Sequence, residues 1–362
     1  MKILFDHQIF SIQKYGGISR YFANLNSGLN NYQNCDSDIS VLYTENEYIK
    51  DIPVPINNKK GFFLFNEHYK RIIRWNRRYS LLKISLNKFD IFHPTYYDPY
   101  FIPYLNTPFV LTVHDMIHEL LPHLFEDAKE IVAKKRILIK NANRIIAISH
   151  YTKEQIVKFY PEVENKITVV YHGYKFTSDK QEKVDLPEQY MLFIGERLHY
   201  KNFIKLVNAI SGILIKDKNL NLVCAGGGPF NESETSLFYK LGIKNKCHQL
   251  SVTDGTLKQL YMHAKLFIFP SLQEGFGLPL LEAFSNNCPV VCSNTTSLPE
   301  IAGEAAVYFD PEDEGSIIEA VEKVLYNTLL QQQLKQMGKI RMHIFNFDNC
   351  LSNTSHVYQL LM

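Results

Sequence analysis

Short apolar runs alternate with stretches of helical periodicity along the whole chain, and the alternation falls into two series. In the first, Ile3–Phe5, Ile39–Tyr43, Ile91–His93, Phe109–Val113, Arg144–Ile148 and Ile167–Val170 read as strands, with Ser19–Leu29 and Lys129–Ala142 among the helical stretches. In the second, the strand runs are Tyr190–Ile194, Leu220–Ala225, Lys246–Leu250, Leu266–Pro270, Pro289–Cys292 and Ala306–Tyr308. The helical stretches between them are Phe203–Leu214, Thr256–His263, Leu280–Ser285 and Ser316–Met337. Strands that alternate with helices predict parallel sheets covered by helices on both faces. Between the series lies the polar stretch Tyr174–Gln189, closed by Pro187, which reads as a linker. The pattern therefore predicts an α/β protein of two Rossmann-like domains, residues 1–173 and 190–344, joined by a linker over 174–189 and followed by a segment over 345–362. Such sheets bind ligands beyond the carboxyl ends of their strands, so the expected site is a cleft between the two halves.

Composition narrows the classes. At 362 residues the chain can fill two cores. A formal charge of +2 lacks the basic excess of a general nucleic-acid binder. The start Met1-Lys2-Ile3-Leu4-Phe5-Asp6-His7 turns polar too early for a signal peptide, and no apolar run approaches the roughly 20 residues that span a bilayer. Six cysteines in so long a chain make no disulfide framework, and Cys288 and Cys292, flanking Pro289-Val290-Val291, read as buried thiols. The expected compartment is the cytoplasm.

The segment most informative about chemistry is Pro270-Ser271-Leu272-Gln273-Glu274-Gly275-Phe276-Gly277-Leu278-Pro279-Leu280-Leu281-Glu282-Ala283-Phe284. A strand runs into a turn with two glycines, and Pro279 suits the first turn of a helix. The glycines let backbone N–H groups approach a ligand, and the helix start adds partial positive charge, a combination suited to a diphosphate. Glu274 and Glu282 frame the turn. A glycosidase needs two carboxyls about 5–9.5 Å apart, whereas eight residues of helix would separate two Cα atoms by about 12 Å. With one carboxylate in a loop and the other in a helix, the pair reads as gripping different parts of one ligand, each able to accept hydroxyl hydrogen bonds. Asp36-Ser37-Asp38 has the spacing of a metal-bound Asp-x-Asp but reads as a solvated turn, and no His-Glu-x-x-His or Cys-x-x-Cys occurs, so no catalytic metal is inferred. Gly226-Gly227-Gly228 does not complete a dinucleotide fingerprint, because Asn231 occupies the required glycine position.

The spacing from Glu274 to Glu282 resembles the signature of the retaining family 4 glycosyltransferases, which have the GT-B fold. Gly195-Glu196-Arg197 followed by Tyr200-Lys201-Asn202 is similar to the family's Gly-x-Arg…Lys-Asn segment, and Ala225-Gly226-Gly227-Gly228-Pro229 to its Gly-x-Gly-Pro turn. Ala147–Thr152 and Val170-Tyr171-His172-Gly173 are similar to its interdomain segments, although His172 stands where an Asn usually precedes the glycine. Leu298–Gly303 resembles its Pro-Glu turn, Tyr15-Gly16-Gly17-Ile18 its Gly-Gly loop, and His114-Asp115 its His-Asp pair. The resemblance runs from Gly16 to Gly303.

It implies transfer of a hexosyl group, mannosyl by general likeness to surface-polysaccharide enzymes, from a nucleotide-diphosphate sugar to a saccharide or lipid-linked saccharide. It implies no cofactor, and a C-terminal segment that packs back on the amino-terminal, acceptor-side domain. By the same resemblance Arg197 and Lys201 neutralise the leaving diphosphate, Glu282 holds the ribose, Glu274 contacts the donor sugar and His114 sits at the reacting centre. Gly16 and Gly17 close over the donor, while Gly195, Gly275, Phe276, Gly277 and Leu278 complete its cradle. A nucleotide-sugar epimerase of the same architecture and a non-catalytic sugar-binding protein are the rival readings. The intact set Glu274, Glu282, Arg197, Lys201 and His114 argues against the second.

One stretch belongs to none of these motifs. Tyr69, Ile72, Trp75, Tyr79 and Leu82 recur at helical spacing, with Lys70, Arg71, Arg74, Arg77 and Arg78 on the other side and Phe62, Phe63 and Phe65 upstream. Tyr69–Leu82 thus reads either as a basic amphipathic helix resting on the inner face of an anionic membrane or as a helix packed on its own domain.

Overall fold

The computed structural model describes residues 1–32, 35–56, 61, 69–174, 184–197, 199–251 and 253–362. The linker core 175–183 and Phe62, Phe63 and Phe65 lie outside the described residues. The chain divides into two units. The first is Met1–His172 with Asp348–Met362, the second Gly173–Phe347.

The first unit carries β1 (Lys2–Phe5), β2 (Asp36–Ile39), β3 (Ile91–His93), β4 (Val110–Val113), β5 (Arg144–Ala147) and β6 (Ile167–Val169). Pairing is parallel in the order β2-β1-β3 and β4-β5-β6, and a parallel bridge from Phe92 to Phe109 links the two sets. β1, β3 and β4 are almost wholly buried, as expected of strands covered on both faces. Leu4, Phe92, Phe101, Leu111, Leu138, Ile145 and Ile156 share one core.

The second unit carries β7 (Gln189–Ile194), β8 (Leu220–Ala225), β9 (Cys247–Leu250), β10 (Leu266–Phe269), β11 (Val290–Ser293) and β12 (Ala306–Phe309). All pair parallel in the order β12-β11-β10-β7-β8-β9. This is the doubly wound order, and the chain reverses direction across the sheet between β7 and β10. Cys288 and Cys292 are buried here, and burial pushes both thiols up.

Three local expectations need correction. The second strand is Asp36–Ile39 rather than Ile39–Tyr43, and Asp36-Ser37-Asp38 is strand, not turn. The register Lys2↔Asp36 to Phe5↔Ile39 turns Ser37 and Ile39 inward and leaves both aspartates outside. Ser37 tolerates burial because its Oγ donates to Asn26, with the Asn26 backbone oxygen at 3.0 Å and Oδ1 at 2.9 Å. Beyond the strand, Val41 and Tyr43 are buried in a loop whose backbone is satisfied by a side chain. Asn76 Oδ1 accepts from the N–H groups of Leu42 (2.9 Å) and Tyr43 (3.0 Å), and its Nδ2 donates to Tyr43 O and Ser11 Oγ, both at 2.8 Å.

The stretch read as one helix over Ser316–Met337 is two, Glu314–Leu325 and Thr328–Ile344. Asn327 breaks it by capping the second, its side chain accepting from Leu330 N–H at 3.0 Å.

The third correction concerns the Tyr69–Ser85 helix. Its buried stripe is Ile72, Asn76, Ser80 and Ile84, whereas Trp75 and Leu82 are about half exposed and share the solvent face with Arg71, Arg74 and Arg78. The apolar side of the sequence pattern is therefore not the packed side, because Asn76 and Ser80 bond to the loop after β2.

Residues 348–362 complete the first unit. In the helix Phe347–Gln359, Tyr358 is fully buried and its hydroxyl hydrogen-bonds His93 Nδ1 at 2.7 Å. Among the described residues no helix is long and apolar enough to cross a membrane.

Asn76→Ala should destabilise the first unit by at least about 2 kcal/mol, because several buried polar groups lose their partner at about 1–3 kcal/mol each. Urea unfolding followed through Trp75, the only tryptophan, reads this directly. An unchanged midpoint would show that the loop after β2 does not depend on Asn76.

Candidate active site

In the second unit the loops after β7 and β10 emerge side by side, because β10 pairs directly with β7. A backbone hydrogen bond joins them, Leu272 N–H donating to Tyr200 O at 2.8 Å. Lys201, in the short turn His199–Lys201, thereby meets Glu274, and Lys201 Nζ lies 2.6 Å from Glu274 Oε1 with both side chains mostly covered. Burial alone would lower the Lys201 pKa. The Glu274 charge, aided by Tyr200, the hydrogen bond to Glu274 and Glu196, outweighs it and holds the ammonium above the ordinary lysine range. The cation also lies 5.1 Å from the Tyr200 ring centroid and 5.8 Å from that of Phe269.

The turn between Glu274 and the helix Leu278–Ser285 is fastened from outside. Ser297 Oγ donates to Glu274 O at 3.1 Å and to Phe276 O at 3.0 Å. Gly277 caps the helix at φ +106°, and a Cβ there would stand 2.9 Å from Leu298 Cδ2, so only glycine fits. Pro279 is inside the first turn. Phe276 is buried with its ring 5.8 Å from Phe345, while Gly275 is buried and Leu278 half-buried. Glu282 is buried one helical turn further on, its Oε2 accepting from the Tyr261 hydroxyl at 3.0 Å. Burial and the Glu282 charge push that phenol well up, so it remains a donor.

Arg197 lies elsewhere than beside Lys201's carboxylate partner. Its Nε–H donates to Glu234 Oε1 at 2.6 Å, Nη1 to Gly226 O at 3.1 Å, and Nη2 to the carbonyls of Gly227, Gly228 and Pro229 at 2.9–3.3 Å. Every nitrogen of the guanidinium thus meets a protein acceptor, and the side chain is only 5% exposed. It rests against the rings of Phe230 and Phe203. Gly195 (φ +122°) precedes it and donates its N–H to Ala225 O. Gly227, at φ +68°, is the close-approach glycine, since a Cβ would fall 2.8 Å from Arg197 Nη1.

In the first unit His114 follows β4 and is buried, its N–H donating to Tyr97 Oη at 3.1 Å. Its ring stacks on His172 at 5.6 Å and 13°, with Tyr21 and Phe22 edge-on. Burial, then the neighbouring His93 ring and the Lys135 charge, lower its pKa to about 3, so the imidazole is neutral. Among the described residues its buried Nε2 has no hydrogen-bond partner, a condition rare enough in folded proteins to point to use. Gly16 is the extended N-cap and Gly17 the first residue of the helix Gly17–Asn30, whose Tyr21 and Phe22 touch His114. Among the described residues no group of three or more His, Cys, Asp or Glu side chains gathers to hold a metal ion.

Two participants escaped the sequence reading. Glu234 takes both the Arg197 guanidinium and the Asn231 N–H (2.8 Å), closing a capping box on the helix Glu232–Lys240. The Asn231-x-x-Glu234 spacing was the available signal. Lys135 is fully buried, pairing with Glu119 at 2.9 Å and donating to Asp115 O at 3.1 Å. Within the run Lys134-Lys135-Arg136 only its helical phase, shared with Ala128, Leu138 and Ile139, marks it as inward.

Glu234→Ala should cost the second unit about 3–5 kcal/mol, because it strands a buried cation. Far-UV circular dichroism should show an early urea transition, while the Trp75 signal from the first unit stays in place. Coincident, wild-type transitions would mean the pair carries no stability.

Residues 15–176 match the family profile described as Glycosyltransferase Family 4, and residues 175–341 that described as Glycosyl transferases group 1. O-antigen chain mannosyltransferase B of Escherichia coli is 26% identical over 343 residues, covering 87% of this chain and 88% of that protein. O-antigen chain mannosyltransferase RfbU of Salmonella typhimurium is 28% identical over 217 residues, covering 59% and 60%. Among solved structures, HepE of Anabaena in complex with UDP and glucose superposes with a TM-score of 0.76 at 15% identity, over the full length of both chains. Two adjoining profile matches from residue 15 to residue 341, on two doubly wound sheets, establish that this chain belongs to the GT-B glycosyltransferases and is a transferase enzyme.

Proposed function

We propose that the enzyme moves a mannosyl-type hexosyl group from a nucleotide-diphosphate sugar to a saccharide or lipid-linked saccharide, with retention of configuration, in the synthesis of a cell-surface polysaccharide such as lipopolysaccharide. Relatives named as O-antigen mannosyltransferases support the sugar and the setting. The donor is held by the second unit and the acceptor by the first. The observation that carries the reading is the 2.6 Å pair of Lys201 and Glu274, two motif residues brought together at the reversal point of the second sheet.

Transfer leaves a diphosphate on which negative charge grows, and a fixed cation in a covered site lowers that barrier most. Lys201 is this cation, kept protonated by Glu274. Glu274 accepts from a hydroxyl of the donor sugar, Glu282 from the ribose, and the N–H groups of Gly275–Leu278 at the helix start meet the diphosphate. Arg197 acts through the glycine turn that it holds, with Gly195 setting the exit from β7. His114 offers a neutral imidazole beside the sugar, and the Gly16-Gly17 turn closes over the donor. Retention follows from attack on the face that the diphosphate leaves, the departing phosphate accepting the acceptor's proton.

The Tyr69–Ser85 helix supports contact with the inner face of the cytoplasmic membrane. Arg71, Arg74, Trp75, Arg78 and Leu82 follow one another at short steps on its solvent face, and the Arg78 guanidinium lies 5.4 Å from the Trp75 ring centroid. Indole and guanidinium side by side suit an anionic interface.

Glu282→Ala should weaken nucleotide-sugar and free nucleoside-diphosphate binding by a similar factor, roughly ten- to a hundredfold for a lost bond to a charged group. Glu274→Ala should weaken nucleoside-diphosphate binding far less than Glu282→Ala does, while depressing transfer. Calorimetric titration of both variants with both ligands decides it, and equal loss of nucleoside diphosphate in the two variants refutes the division of labour.

Reversing Arg71, Arg74 and Arg78 to Glu should abolish sedimentation with anionic liposomes, each basic residue contributing about 1 kcal/mol at such a surface. Transfer to a soluble acceptor should persist. Arg77 is spared because it faces Asp98. Unchanged sedimentation removes the membrane contact.

A further inference from the structure

The first sheet has its own reversal point, between β1 and β3 on either side of which the chain winds in opposite directions. At the carboxyl ends of these two strands lies a cavity of about 430 Å³, lined by His7 and Gln8 after β1, by Tyr96 and Asp98 after β3, and by Tyr69 and Arg77 of the Tyr69–Ser85 helix. None of Lys201, Glu274, Glu282, His114, Gly16 and Gly17 lines it. Its volume is within the roughly 300–1,000 Å³ of small-ligand sites.

The floor is built rather than incidental. Asp6 is fully buried and accepts from Thr95 N–H at 2.8 Å, Thr95 Oγ1 at 2.7 Å and Gln8 Nε2 at 2.7 Å. Gln8 in turn clasps the backbone of Asp98, its Oε1 accepting from Asp98 N–H at 2.7 Å and its Nε2 donating to Asp98 O at 3.0 Å. The Asp98 carboxylate is aimed by Tyr100 N–H, 3.1 Å from Oδ1, while Arg77 stands 3.8 Å from Oδ2, too far for a good hydrogen bond. His7 is locked through Nδ1, 2.8 Å from Ser80 Oγ. The cavity therefore presents a fixed carboxylate with accepting capacity to spare.

The walls say what it takes. Tyr69, Tyr96 and Tyr97 supply aromatic faces, and Asp98, Asp127 and Glu130 outnumber Arg77 and Lys134. An excess of acid repels a nucleotide or a free phosphate. Aromatic faces beside carboxylates suit a neutral polyol, whose C–H faces lie on rings and whose paired hydroxyls donate to carboxylate oxygens. We propose that this cavity holds a neutral sugar unit of the acceptor, gripped by Asp98 and laid against Tyr69 and Tyr96. The inference rests on the glycosyl-transfer reading and adds to it the position and chemistry of the acceptor.

Saturation-transfer NMR on the full chain, with methyl α-mannoside and a mannose disaccharide as probes, tests it beside a nucleotide-sugar titration. Wild type and Glu274→Ala should both transfer saturation to the sugar. Asp98→Asn and Tyr69→Ala should weaken sugar affinity roughly tenfold or more while binding nucleotide sugar like wild type, and Tyr69, half exposed, can be truncated without a folding penalty that would confuse the result. A sugar signal that vanishes in Glu274→Ala but persists in the two cavity variants overturns the proposal, and so does the absence of any sugar signal in wild type. In either case the nucleotide-sugar titration reports separately on the donor site.

Discussion

A guanidinium taken out of water must find acceptors for its nitrogens, and Arg197 does so by gathering the carbonyls of Gly226–Pro229 and one carboxylate. The geometry around it follows. Four carbonyls converge on one side chain only if the backbone runs through consecutive positive φ values, which Gly226, Gly227 and Gly228 supply. The carboxylate must itself be anchored, which Glu234 achieves at the start of the next helix. One ion pair thus sets the loop after β7, the turn after β8 and the entry of the helix that follows. Its cost in desolvation is offset by organisation rather than by net stability.

The two sheets use the same device. Each reverses its winding beside its first strand, leaving a gap between the loops of two neighbouring strands. In the second sheet the gap brings Lys201 and Glu274 together across 73 residues of sequence. In the first it holds the cavity under Asp98. The polarity differs in a useful way. The loops of the second sheet present a lysine held protonated by Glu274 and helix-start N–H groups, whereas those of the first present carboxylates, and under the proposed roles that difference would sort an anionic nucleotide from a neutral sugar by charge.

Most of the strand framework was legible, because fully buried parallel strands write continuous apolar runs. The second strand was not. Asp36-Ser37-Asp38 is polar on paper, and its one inward polar residue is satisfied by Asn26 from another element. The apolar run after it is buried through Asn76, far along the chain. For the same reason the Tyr69–Ser85 helix could not be oriented from its pattern, since its packed stripe contains Asn76 and Ser80 while Trp75 faces water. In the second unit the motif segments identified Lys201, Glu274 and Glu282 as residues of interest. A motif does not record direction, however, and nothing in Gly195-Glu196-Arg197 told that the arginine turns inward to Glu234.

The helix Phe347–Gln359 has a consequence for how the protein is made. Residues 348–362 supply Tyr358 and Val357 to the interior of the first unit and a hydrogen bond to His93. A ribosome delivers them only after all of the second unit. Of these two units, the one synthesised first is thus the later to be finished, and until then the seam that Tyr358 and Val357 fill stays open. Such a seam invites chaperone binding or association between nascent chains, so translation speed through the second domain sets how long the first remains vulnerable.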